Sequence, residues 1–252
     1  MILNEPDRTP WDVRFRLFGV DVRIHPFFWL FMLLLSNGGP PLGVLVWLVA
    51  VVLSLLIHEF GHVAAFRLYG IRSYIVLHAF GGLAIPYGSG YGGSFGPRLA
   101  PGPSAFVAFA GPAAELLAAA MVVAMVAAAG AEVFFPFGGL FSFLPAIGPL
   151  GLSPLFDLLI SDFVYVSIFW ALLNLLPIIP LDGGRISQAL FQRIDPQTGL
   201  KQALVLSMIT AGFVAAFMLV KLGSWWNAGL FAFLAFQNFQ TFQALGFGGR
   251  RW

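Results

Sequence analysis

The chain has 252 residues, 59% of them hydrophobic and 10% charged, with a formal charge of only +2. A soluble domain of this size carries far more polar surface, so the composition implies a polytopic membrane protein in contact with the lipid bilayer. The small net charge gives no reason to expect nucleic acid, and the absence of cysteine excludes disulfides, thiolate metal ligands and a cysteine nucleophile.

Residues 1–11 hold acids and a proline rather than a basic stretch followed by an apolar core, so no cleavable signal peptide is expected. The run 14–24 alternates polar and apolar residues on both sides of Gly19, a period-2 pattern that suits a hairpin on the membrane surface. A short apolar segment at about 26–36 is the first candidate span, and 42–66 is the second. A second strand pattern covers 73–78, followed by glycine-rich sequence over 81–102 that is too flexible to span. An alanine-rich helix is expected over 104–130, then a Phe-, Gly- and Pro-rich loop lying against the membrane over 131–153. Residues 162–176 form the fourth span, ended by Pro177, and 202–222 and 225–244 the last two, the latter opening on the interfacial pair Trp225 and Trp226. The expected fold is therefore a polytopic α-helical membrane protein, one domain over 1–252, with about six transmembrane helices and a small membrane-associated β-sheet on the cytoplasmic side.

The basic residues give the expected orientation. Arg8, Arg14, Arg16 and Arg23, then Arg67, Arg72 and Arg98, then Arg185, Arg193 and Lys201, and finally Arg250 and Arg251 all fall on one side of a six-span arrangement. Only Lys221 falls on the other, so the positive-inside rule places both termini in the cytoplasm of a cell whose inner or plasma membrane holds the protein.

His58-Glu59-Phe60-Gly61-His62 closes the second span. In a helix, residues four apart share a face, so both imidazoles can reach one tetrahedral metal with the glutamate beside them as general base. A catalytic zinc usually takes three protein ligands, and the candidates for the third are Asp182, Glu115 and His78. Asp182 is preferred, because Pro177 and Pro180 stop the fourth helix just before it and Gly183 and Gly184 let the backbone bring a short carboxylate close. His25, ahead of Pro26, reads as a capping or interfacial residue, and His78 as structural. Gln237, Asn238, Gln240 and Gln243 read as a solvated helix end, with hydrogen bonding between helices as the alternative.

H-E-F-G-H within a membrane span, followed by N-x-x-P-x-x-P-L-D-G-G over 174–184, resembles the site-2 protease family of intramembrane zinc metalloproteases. The segment ending Ile24-His25-Pro26, the pair Gly81-Gly82 and the run Ala110-Gly111-Pro112 extend the resemblance over most of the chain. It implies one zinc per chain held by His58, His62 and Asp182, water activation by Glu59, and a substrate-holding role for Asn174. The family often has a small residue or asparagine where this chain has Glu115, and the 252 residues leave no room for the PDZ or CBS modules of some relatives.

The function this implies is zinc-dependent hydrolysis of a peptide bond within or near the transmembrane segment of a membrane-protein substrate. A substrate helix hides its carbonyls in internal hydrogen bonds, so it must be unwound, and strand 73–78 is expected to pair with the extended chain as an edge. The glycine-rich run 88–102 is expected to border the route for water. The alternatives are a non-catalytic scaffold or transporter, or a membrane metalloprotease of another family that takes a glutamate as third ligand.

Overall fold

The period-2 run at the start of the chain folds as the hairpin it predicts. Strands β1 (Val13–Leu17) and β2 (Val20–Ile24) pair antiparallel. Their two-residue turn places Phe18 at φ 48° and Gly19 at φ 76°, the left-handed pair that matches the twist of a tight hairpin. Strand β3 (Ser73–His78) runs parallel to β2, which obliges the chain to cross over between them. The crossover is made by helices α1 (Pro26–Leu35) and α2 (Pro41–Leu68). Strand β4 (Gly81–Pro86) then pairs antiparallel with β3, giving the order β1-β2-β3-β4. This computed structural model describes residues 5–36, 39–79, 81–88, 99–135 and 144–247. Most of the glycine-rich run expected to border a water route lies outside those residues.

Two sequence expectations change here. Gly81 and Gly82 belong to a paired strand rather than to a flexible linker. In consequence β3 is paired on both sides, by β2 and β4, and has no free edge to offer a substrate; among the described residues the edge next to it is β4.

The sheet carries the second helix. Val20, Val22 and Ile24 from β2 and Ile75 and Leu77 from β3 pack with Phe28 and Met32 of α1 and with Val51, Leu55 and Val63 of α2. Burying this many aliphatic side chains fixes the rotation of α2, and with it the direction in which His58, Glu59 and His62 point. His25 caps α1, accepting from Phe27 N–H at 3.3 Å, as the sequence suggested.

Among the described residues, four helices are long and apolar enough to cross a membrane: α2, helix α3 (Pro101–Ala128), helix α4 (Pro154–Asn174) and helix α6 (Gly199–Leu222). A helix of 28 residues extends about 42 Å, more than the roughly 30 Å of a bilayer's hydrocarbon core. Leu45, Val49 and Leu53 of α2 and Leu117, Met121 and Met125 of α3 are exposed, a surface suited to lipid rather than water. The chain is an integral membrane protein. Of the six expected spans, the first holds the shorter apolar helix α1, of 10 residues, and the last, helix α7 (Trp225–Phe247), is not among the four. The segment expected as a loop after α3 holds strands β5 (Val133–Phe134) and β6 (Ala146–Ile147), paired antiparallel.

The chain divides into two compact units, one comprising Met1–Arg98 with Ala110–Leu172, the other Leu99–Phe109 with Leu173–Trp252. The second holds helix α5 (Asp182–Ile194), α6 and α7. Between α4 and α5 the chain passes through a cis Ile179–Pro180 bond. Ser207 Oγ of α6 accepts from Ile179 N–H at 2.8 Å, and Asn238 Nδ2 of α7 donates to Ile179 O at 2.8 Å and to Leu234 O. Asn238 is thus buried and bonds across to another segment, while its neighbours Gln237 and Gln240 are not buried.

Candidate metal centre

His58, Glu59 and His62 lie on the buried face of α2, and their donor atoms all fall within 4.8 Å of one another. The two histidines approach through Nε2, at 3.2 Å. Two metal–nitrogen bonds of about 2.0–2.1 Å at a tetrahedral angle put their nitrogens roughly 3.3 Å apart, so the pair is spaced as zinc would require. No other group of His, Cys, Asp and Glu with metal-ligand spacing occurs among the described residues.

Space for an ion at these nitrogens is kept by glycine. A Cβ on Gly111 would lie 2.3 Å from His62 Nε2 and 2.8 Å from His58 Nε2. Helix α3 can come this close because α2 is also bare at the crossing: a Cβ on Gly61 would meet Ala110 O at 2.3 Å. Pro112 follows at once, inside α3, where it removes one backbone donor. The Ala110-Gly111-Pro112 run is therefore the place where one helix backbone is pressed against the two imidazoles.

Glu59 is matched in the same way to the sheet. A Cβ on Gly82 would fall 2.3 Å from Glu59 Oε1 and 2.6 Å from its Cδ. The edge strand β4 thus runs directly past the carboxylate. At its start, Gly81 has φ 120° and a Cβ there would press on Trp170 of α4 at 3.0 Å, so the strand enters through a backbone state closed to other residues.

Glu115 stands behind His58. Its Oε2 is 2.8 Å from His58 Nδ1, on the opposite side of the ring from the nitrogen facing His62. That geometry removes it as a third ligand to an ion at His58 Nε2. His78 lies in β3, buried near His25 and Arg23; burial first, then the electrostatic influence of those two neighbours, pushes its pKa down to about 4. It is part of the sheet's packing.

Asp182 and Asn174 belong to the second unit. Asp182 is 6% exposed and is the first residue of α5, where a carboxylate also suits the positive end of the helix dipole. The glycines after it have a packing role. Neither has a left-handed backbone; a Cβ on Gly183 would meet Leu175 O at 2.1 Å and one on Gly184 would meet Ile178 C at 2.4 Å. They let α5 pack onto the turn that precedes it. Asn174 is the last residue of α4. The sequence reading missed the gap-keeping role of Gly111 and Gly82 and the anchoring of Ile179 by Ser207 and Asn238. A hint was available in Ser207, a polar residue in the apolar run of α6.

Comparison with known proteins bears on the carboxy-terminal segment and on the fold. A profile of Peptidase family M50 matches residues 152–220, which hold Asn174, Asp182 and the glycines but not His58 to His62. Among solved structures, the Site-2 Protease from Methanocaldococcus jannaschii shares the fold, with a TM-score of 0.57 at 20% sequence identity, covering 92% of this chain and 95% of that one. No curated protein matches the chain in sequence. The resemblance to site-2 proteases therefore holds in two ways, through the profile on the carboxy-terminal segment and through the fold of nearly the whole chain. With four helices among the described residues long and apolar enough to cross a membrane, and a buried His-Glu-His cluster, these findings support a membrane metalloprotease.

Proposed function

We propose that the chain is an intramembrane zinc endopeptidase that cuts a peptide bond within or near the transmembrane segment of another membrane protein. The observation that carries this reading is the convergence of His58 Nε2, His62 Nε2 and the Glu59 carboxylate on one buried point of a membrane-crossing helix. His58, His62 and Asp182 are the residues that would hold zinc, one per chain; when bound, the ion polarises a peptide carbonyl and brings the pKa of water towards neutrality.

The chain's own residues supply the rest. Glu59, fixed against β4 by the bare Gly82, takes a proton from the attacking water and returns it to the amine that leaves. The edge strand β4 offers backbone N–H and C=O groups to a locally unwound substrate, replacing the helical hydrogen bonds the substrate gives up. Because β4 passes Glu59, a substrate paired on it is presented to the base. Asn174 contributes a side-chain amide towards holding the extended substrate. With six spans, as read from the sequence, both termini and the sheet belong on the cytoplasmic side of the inner or plasma membrane, where the distribution of arginine and lysine puts them.

The test compares new protein termini in membranes of cells producing the wild type with those producing Glu59→Gln. The reading expects termini inside or beside transmembrane segments that appear with the wild type only. Identical terminus sets, from wild-type protein shown to be folded and zinc-loaded, would refute it.

A further inference from the structure

Behind His58, on the side of the ring away from His62, three helices contribute to one hydrogen-bond chain. Ser167 Oγ of α4 donates to Ser54 Oγ of α2 at 3.0 Å, and Ser54 Oγ donates to Glu115 Oε1 of α3 at 2.5 Å. His58 Nδ1 lies 2.8 Å from the other oxygen, Glu115 Oε2. Ser54, Ser167 and Glu115 have no exposed surface, and His58 is 3% exposed.

The direction of this chain decides the state of the imidazole. A hydroxyl has one proton to donate; Ser54 gives its own to Glu115 and receives that of Ser167, so the donors run towards the carboxylate. Oε1 is satisfied by Ser54, and Oε2 accepts from His58 Nδ1–H. In a neutral ring the lone pair then sits on Nε2, the atom that faces His62 at 3.2 Å. A carboxylate buried in a membrane helix is costly, and simple filling of the gap between α2 and α3 does not require one. Acceptance at both oxygens does.

We infer that Glu115 is a positioning residue that fixes the tautomer and orientation of His58 so that Nε2 is presented to the metal, with Ser54 and Ser167 holding the carboxylate in place. The inference rests on the metal-binding reading above. A carboxylate behind a ligating histidine also makes that histidine a stronger ligand, and its loss typically costs 10–100-fold in metal affinity.

The experiment uses the full chain in detergent, with zinc affinity measured by competition with a chromophoric chelator. His58 is read in the metal-free protein by 15N NMR of labelled histidine. Glu115→Leu is expected to lower zinc affinity about 10–100-fold and to move His58 away from the Nδ1–H tautomer. Glu115→Gln, whose amide oxygen can still accept from Nδ1, should recover part of both, and Ser54→Ala should show a smaller loss of the same kind. His62→Ala should lose zinc while leaving the His58 tautomer unchanged. Wild-type affinity and an unchanged tautomer in Glu115→Leu would overturn the inference alone; if that variant does not fold, the same result in both Glu115→Gln and Ser54→Ala would do so. A wild-type protein that binds no zinc would overturn the metal reading and this inference together.

Discussion

Replacing Gly111 with alanine adds one methyl group to the molecule and should remove the metal from it. The added Cβ would stand 2.3 Å from His62 Nε2, 2.5 Å from its Cε1 and 2.8 Å from His58 Nε2, whereas ordinary contacts begin at 3.4 Å. Relief at His62 alone requires a displacement of about 1 Å, several times the roughly 0.2 Å tolerance of a metal–ligand bond. Withdrawal of helix α3 would give up its close packing on α2 at Gly61, where a Cβ would lie 2.3 Å from Ala110 O. Helix propensity points the other way: alanine is favoured over glycine by about 1 kcal/mol in a helix interior, so loss of metal need not mean loss of fold. The assay is zinc content per chain of detergent-purified protein beside its thermal unfolding. Gly212→Ala serves as the control, since nothing lies within 4 Å of a Cβ there. Gly111→Ala should hold less than a tenth of the wild-type zinc, and Gly212→Ala should hold all of it. Full zinc occupancy in Gly111→Ala would refute the claim that an ion sits between these two nitrogens.

Gly82→Ala should separate the base from the metal: its Cβ would collide with the Glu59 carboxylate, so peptide-bond cleavage should fall by about 100-fold while zinc content stays at the wild-type level. Asn238→Ala removes the donor to Ile179 O and should cost on the order of 1 kcal/mol, read as a lower melting temperature in detergent. His78 titrates near 4 in the folded protein against 6.5 in an unstructured chain, so the unfolded state binds more protons between those values. The stability contributed by its neutral form is whole above pH 6.5 and is lost as pH falls towards 4, and the melting temperature of His78→Gln should fall less steeply over that window than that of the wild type.

The strands and spans were legible where a period was clear. The hairpin over β1 and β2 and the long apolar runs of α2, α3 and α6 stand out because each buries or exposes one kind of side chain over many residues. Strand β4 was hidden because Gly81 and Gly82 have no side chains to alternate; their identity is set by Trp170 and Glu59, which are distant in sequence. Helix α5 was masked by the same ambiguity, since glycine pairs signal turns more often than close packing. At the site, His58, Glu59 and His62 could be read from helical spacing alone. The place of Glu115 behind His58 could not, because 57 residues separate them and only the α2–α3 crossing brings them together.

The most direct test of the central claim is the zinc content of the purified protein in four forms: wild type, His62→Ala, Asp182→Ala and Glu59→Gln. One zinc per chain in wild type and Glu59→Gln, with loss in His62→Ala and Asp182→Ala, is the expected result. Zinc retained in folded Asp182→Ala would contradict the proposed ligand set, and a folded wild type without zinc would contradict the metalloprotease reading as a whole.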